Sequence, residues 1–260
     1  MDLKNSTILI TGGSSGIGLE FVKQLSEIGA TIIVTGRNQE TLNETKKQFP
    51  DVNIFQSDVS NSKDIEQLYK DVTNQFPNLN IIINNAGLMR LIDLQDQSID
   101  LENINQEIIT NLSGTIQMVH QFLPHLLKQK SAGIVNVSSG IALMSYSSAP
   151  IYSAAKAGVR AYTQSLRLQL ENTNVKVFEM IPPGVKTNLQ NNWVKQPNPM
   201  MMMDADKMVK VAIDGLVKDK KELQPFLIRI IKLASKIAPN LLMKLSHNEF
   251  KEIKKLQNPK

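Results

Sequence analysis

The chain has 260 residues, 42% of them hydrophobic, 20% charged and 5% aromatic, which is enough apolar material for a full core and argues against general disorder. Lys plus Arg number 29 against 24 Asp plus Glu, and a net +5 spread over this length does not point to nucleic acid. Cysteine is absent, which excludes a disulfide scaffold, thiolate metal sites and a cysteine nucleophile; three histidines (His120, His125, His247) leave little for a metal centre, and the first two read as solvated helix residues. No run approaches 18 consecutive apolar residues and the amino-terminal segment lacks a secretory pattern, so the expectation is a cytoplasmic protein with no transmembrane segment.

The segment 7–11 reads as a strand, and 17–28 as a helix with Ile17, Phe21, Leu25 and Ile28 at helical spacing. A strand at 31–35 and a polar helix over 39–48 follow. Strands at 52–55 and 80–84 flank a helix over 64–76. Helices over 101–128 and 152–170 then alternate with strands at 134–137 and 175–180. The strands are continuous apolar runs, as expected where helices cover both faces, and strict alternation implies a doubly wound parallel α/β sheet with right-handed crossovers. No composition shift occurs before about residue 187, so 1–187 reads as one core, with 188–260 as an extension of the same domain. Within it, 188–203 carries Pro197, Pro199, the single Trp and four consecutive methionines, the character of an adaptable flap. From Pro225 onward leucines and isoleucines interleave with lysines. That tail reads as an amphipathic helix pair packed on the body or on another subunit, or meeting a membrane surface or partner.

Directly after the first strand comes Thr11-Gly12-Gly13-Ser14-Ser15-Gly16-Ile17-Gly18, opening a helix. In that context Gly12 allows a tight turn, Gly16 lets backbone approach a pyrophosphate, and Gly18 lets the helix pack close to the strand. The unpaired N–H groups and dipole of the helix start favour phosphate. At the tip of the second strand stands Thr35-Gly36-Arg37-Asn38, with no acid to bond a ribose 2′-hydroxyl. Arg37 offers a planar fork for a 2′-phosphate, favouring NADP(H) over NAD(H), unless it is simply a solvated loop base.

The Gly-x-x-x-Gly-x-Gly spacing, Asn84-Asn85-Ala86-Gly87 after the fourth strand, Tyr152-Ser153-Ala154-Ala155-Lys156, Ser139 thirteen residues before Tyr152, Asn111 in mid-helix and Pro183-Gly184-Val185-Lys186-Thr187 together resemble the short-chain dehydrogenase/reductase family over about residues 6–190. Within it the chain is most similar to DltE-type bacterial oxidoreductases. The resemblance implies a single-domain Rossmann fold of six to seven strands with helices on both faces, and an NADP(H)-dependent oxidoreductase with Asn111, Ser139, Tyr152 and Lys156 as its catalytic set. Lys156, one turn beyond Tyr152, favours the phenolate of a tyrosine whose free pKa is about 10. Ser139 can bond the substrate oxygen; Ser138 is a rival set aside on spacing. The family adds that Lys156 grips the nicotinamide ribose and that Asn111 holds a water. Cofactor contacts are implied for Gly12, Ser14, Ser15, Gly16, Ile17, Gly18, Arg37, Asp58, Val59, Asn85, Ala86, Gly87, Tyr152, Lys156, Pro183, Gly184, Val185 and Thr187, with helix capping a competing role for Asp58.

The segment 221–225 departs from the glycine-containing last strand usual in the family, which puts a seventh strand in doubt. The loop 140–148, Leu88, Met89, Arg90 and the flap 188–203 should wall the substrate site. Being mainly apolar, they favour an apolar or amphiphilic carbonyl or alcohol over a small anionic acid. The resemblance also implies a homodimer or homotetramer, pairing the helices that carry Asn111 and Tyr152. A catalytically silent NADP(H)-binding regulator or scaffold is the alternative, and it would need a broken tetrad.

Overall fold

β-Branched runs become strands here because both of their faces find helices to bury against. The computed structural model describes residues 1–257 apart from 97, 191, 192, 194, 195, 198, 199 and 201, so part of the expected flap lies outside the described residues. In chain order the first half comprises β1 (Thr7–Thr11), α1 (Gly16–Ile28), β2 (Thr31–Gly36), α2 (Gln39–Gln48), β3 (Asn53–Gln56), α3 (Ser62–Gln75) and β4 (Leu79–Asn84). The second comprises α4 (Leu101–Ile104), α5 (Gly114–Leu126), β5 (Ala132–Val137), α6 (Pro150–Gln169), β6 (Val175–Met180), α7 (Ala205–Val217), β7 (Glu222–Leu223), α8 (Phe226–Ile237) and α9 (Pro239–Gln257). All seven strands are parallel, in the order β3-β2-β1-β4-β5-β6-β7.

The period-two alternation of each strand divides the core. Ile8 and Ile10 join Phe21 and Leu25 of α1 and Met208 and Leu216 of α7 on one side; Leu9 joins Leu68 of α3 and Phe122 of α5 on the other. Each such side chain, fully withdrawn from water, contributes about 2 kcal/mol of transfer free energy. Strand order reverses between β1 and β4, and that reversal opens a crevice at their carboxyl ends, where a doubly wound sheet binds ligands.

The structure departs from expectation in three places. The long helix over 101–128 is broken: α4 ends at Ile104, a π-helical turn occupies Ile108–Ser113, and α5 begins at Gly114. The wider turn accommodates buried Asn111, whose amide bonds both the N–H and the C=O of Leu88, and Gly114 leaves no Cβ to collide with the Val59 carbonyl at 2.6 Å. The seventh strand exists, but as the two residues of β7 beside Glu179 and Met180. Pro225 follows closely and starts α8. His125 is not simply solvated: its Nε2 lies 3.1 Å from the Leu79 carbonyl, and burial lowers its pKa.

Gly18 shows how closely α1 packs on β1. A Cβ there would stand 2.2 Å from the Gly12 carbonyl oxygen, so backbone would have to move. Gly18→Ala is expected to cost about 2 kcal/mol, lowering the thermal midpoint by about 5 °C. Gly184→Ala, whose nearest neighbour is Met202 Cγ at 3.8 Å, should leave it unchanged. Equal midpoints for both variants in thermal denaturation would contradict this packing.

Candidate active site

The glycine turn is assembled from both strands that border the crevice. Gly12 and Gly16 adopt positive φ (63° and 53°), which side-chain-bearing residues rarely do. Gly12 N–H donates to the Thr35 carbonyl at 2.7 Å. Asn85, after β4, donates its side-chain N–H to the carbonyls of Thr11 (3.0 Å) and Gly12 (3.2 Å). The Thr11 hydroxyl accepts from the N–H groups of Asn85 and Ala86, each at 3.0 Å. Ser15 is the N-cap of α1, yet its side chain makes no capping bond and the first turn holds no acid. The orphan N–H groups at Gly16, Ile17 and Gly18 are therefore left for an anion, which fits a dinucleotide pyrophosphate. Thr187 closes over this turn, its Cβ 3.2 Å from where a Gly16 Cβ would sit. Val185 is buried, and Pro183 and Gly184 precede it in the segment that follows β6.

At the β2 tip, Ser14 Oγ lies within 3.3 Å of Thr41 Oγ1, and Asn38 caps α2 through the N–H groups of Glu40 and Thr41. Arg37 is exposed, and among the described residues its carbonyl is engaged by Gln56 Nε2 at 2.9 Å. Asp58 does not cap α3. Asn61 does so, accepting from Lys63 N–H at 3.0 Å, while Asp58 accepts from the N–H and hydroxyl of Ser60. Val59 is buried against Gly114.

The expected catalytic residues converge at the carboxyl end of β5. Tyr152 and Lys156 lie one turn apart on α6, both buried, with Lys156 Nζ 5.7 Å from the centroid of the Tyr152 ring. Lys156 Nζ donates to the Val137 carbonyl at 2.8 Å. Ser139 is a hydrogen-bond partner of Tyr152 and also accepts from the Ile141 N–H at 3.3 Å. Ser138 turns away, donating to Glu179 Oε1 at 2.7 Å, so geometry agrees with spacing in setting it aside. Asn111 and Lys156 meet at Gly87: a Cβ there would lie 3.0 Å from Asn111 Oδ1 and 3.7 Å from Lys156 Nζ.

The electrostatics run against one expectation. Burial pushes the Tyr152 phenol up to about 12, with the Ser139 bond opposing only in part, and pushes the Lys156 ammonium down to about 8. Removal from water is the dominant cause for both groups, and the Lys156 ammonium donates to the Val137 carbonyl. As the protein stands, Tyr152 holds its proton at neutral pH.

Around the phenol the surroundings are apolar. Met89, Ala149 and Tyr152 form a buried cluster with Leu91, Ile141, Tyr146 and Trp193 packed on it, and the Trp193 indole N–H lies 3.5 Å from the Met89 carbonyl. Arg90 does not reach into this cluster. Its guanidinium is held by Glu107, which is fully buried, and by Asn103.

Several supporting residues escaped the sequence reading. Glu179, alone among apolar neighbours in β6, binds Arg160 through both oxygens at 2.9 and 2.8 Å; burial raises its pKa, opposed by Ser138 and Arg160. Asn84, Asn136 and Thr163 form a buried relay across β4, β5 and α6. A lone acid inside a buried strand was a readable signal for Glu179; nothing in the sequence marked Glu107.

Comparison with known proteins agrees with this fold. The family model described as short chain dehydrogenase matches residues 6–198. The chain is 39% identical over 224 residues to an uncharacterized oxidoreductase, DltE, of Bacillus subtilis (strain 168), covering 86% of this chain and 89% of that one. Its fold is similar to a short chain dehydrogenase from Burkholderia cenocepacia J2315 in complex with NADP, at TM-score 0.82 and 24% identity, over 95% and 99% of the two chains. A short chain dehydrogenase/reductase from Burkholderia phymatum in complex with NAD superposes at TM-score 0.80 and 20% identity, over 91% and 95%. No helix among the described residues is long and apolar enough to cross a membrane. A seven-stranded parallel sheet, a glycine turn suited to a nicotinamide dinucleotide and these relatives lead to one conclusion: the chain belongs to the short-chain dehydrogenase family of NAD(P)-dependent oxidoreductases.

Proposed function

We propose that this oxidoreductase is NADP(H)-dependent and cytoplasmic, and interconverts a carbonyl and an alcohol on an apolar or amphiphilic substrate. The observation that carries the reading is a phenol, an ammonium and a serine hydroxyl gathered beneath an apolar cluster at the mouth of the crevice. The nicotinamide, when bound, supplies or takes up a hydride. Gly12, Ser14, Ser15, Gly16, Ile17 and Gly18 would hold its pyrophosphate, and Arg37 the 2′-phosphate. Asp58 and Val59 would border the adenine. Asn85, Ala86, Gly87, Pro183, Gly184, Val185 and Thr187 would line the nicotinamide half, with Lys156 on its ribose.

In the reductive direction Tyr152 gives its proton to the substrate oxygen, while the Ser139 hydroxyl donates a hydrogen bond to the same atom. Lys156 then stabilises the phenolate left behind. Asn111, bonded on both sides to Leu88, fixes the wall beside Gly87 where a proton can pass outward from Lys156. Alcohol oxidation uses the same groups in reverse, with the phenolate as base. The substrate reading rests on the apolar cluster and on the commitment of Arg90 to Glu107. A homodimer or homotetramer would form through the exposed sides of α5 and α6, where Ile116 and Leu168 face outward; Leu168→Glu should dissociate it in light scattering.

Tyr152→Phe is expected to lower kcat for carbonyl reduction by about 10²–10⁴-fold while NADPH still binds; undiminished turnover would contradict the assignment. Lys156 loses its proton through about 8, so reduction should hold a plateau below that pH and decline above it. Oxidation, which needs the phenolate, should rise with pH. A flat profile in both directions would count against the pair.

Cofactor choice has its own test. Arg37→Glu should weaken NADPH binding by about tenfold or more and leave NADH nearly unaffected, as read by fluorescence titration. Equal losses for both cofactors would remove Arg37 from the 2′-phosphate.

A further inference from the structure

The carboxyl-terminal helices carry a surface that the hydride-transfer site does not use. Among the described residues α8 is fastened to the body through the side that carries Ile228 and Lys232. Ile228 is fully buried, its Cδ1 lying 2.9 Å from where a Cβ on Gly140 would sit, and Lys232 pairs with Glu222 at 2.5 Å. On the opposite side Phe226, Ile230, Leu233 and Ile237 recur at steps of four, three and four residues, one stripe of the helix, and they are 74%, 50%, 60% and 73% exposed. Leu241 and Leu245 of α9 are also exposed. An uncovered apolar stripe of this extent on a water-facing helix marks a binding surface.

Charge says what covers it. The residues from 226 to 257 hold seven of the chain's 29 Lys and Arg but only two of its 24 Asp and Glu, an excess equal to the chain's net +5, with Lys232 and Lys254 paired to Glu222 and Asp93 from the rest of the chain. Arg229 and Lys236, two turns apart along one flank of the stripe, are exposed and have no carboxylate partner among the described residues. A second copy of this chain using the same patch would set two such basic surfaces against each other. A bilayer bearing anionic headgroups offers hydrocarbon to the stripe and negative charge to its flank.

We propose that α8 is an in-plane anchor by which the protein docks reversibly on a lipid surface containing anionic lipid. Docking would also orient the catalytic crevice. α8 packs on the turn Gly140–Leu143 that follows Ser139, so the anchor holds that turn beside the bilayer, where an apolar substrate is concentrated. That route for substrate rests on the proposed reaction; the docking itself does not.

The test is flotation of the full chain with vesicles of phosphatidylcholine alone or with about one-third phosphatidylglycerol. The protein should float with the mixed vesicles at low salt, and mostly remain in solution with pure phosphatidylcholine or at about 0.5 M salt, where the Debye length is only a few ångströms. Arg229→Glu with Lys236→Glu should weaken the association by about tenfold or more. Ile230→Glu with Leu233→Glu should abolish it. Both pairs face water, so circular dichroism and thermal midpoint should stay at wild-type values. The proposal is overturned if the wild type stays in solution with mixed vesicles, if it floats equally with pure phosphatidylcholine, or if either double variant floats as the wild type does. It is likewise overturned if Ile230→Glu with Leu233→Glu dissociates an oligomer in light scattering and leaves flotation unchanged, which would give the stripe to a second copy. None of these readouts requires turnover, so failure here is distinct from failure of the proposed reaction.

Discussion

Lys156 is 4% exposed, and its ammonium turns to a backbone carbonyl, that of Val137 at 2.8 Å. An ammonium is costly to withdraw from water, and a single neutral acceptor compensates only in part. The balance shows in a lysine pushed down to about 8 beside a tyrosine pushed up to about 12. This pair is poised: each group stands in a site that disfavours its ionised form, and a substrate oxygen or a bound nucleotide reaching the crevice changes the terms for both.

Much of the surrounding structure serves to hold that poise. The carbonyl that receives Lys156 belongs to the last residue of β5, and β5 is tied to its neighbours by buried polar side chains as well as by its ladder. Asn136 links Asn84 of β4 to Thr163 of α6, the helix that carries Tyr152 and Lys156. Arg160, one turn further along α6, is clamped by Glu179 of β6 and touches Glu222 of β7. Buried ion pairs of this kind contribute little net stability against an apolar replacement, but removing one partner is expensive. Their effect here is register: α6 cannot slide or rotate on the sheet without taking Arg160 from Glu179 and leaving that buried carboxylate with only the Ser138 hydroxyl among these partners.

The strands were legible because apolar runs between polar helices have one reading when both faces are covered. The glycine turn was legible because positive φ at Gly12 and Gly16 selects one residue type. The Tyr152/Lys156 spacing was legible because four residues make one helical turn. What escaped depends on partners remote in sequence. The π-helical turn at Ile108–Ser113 carries the Asn111 that bonds Leu88, and no local pattern announces that contact. Arg90 looked like a wall of the substrate site until Glu107, seventeen residues later, claimed its guanidinium. The direction of the Tyr152 shift followed from burial, which helical spacing alone does not reveal.

Lysine side-chain titration followed by NMR, with Lys156 assigned through a Lys156→Arg variant, addresses the poised pair most directly. One ε-methylene signal, absent from the variant, should titrate near 8, well apart from the surface lysines at about 10.4. If that signal titrated together with the surface lysines, Lys156 would be solvated, and the buried phenol–ammonium pair would have to be abandoned.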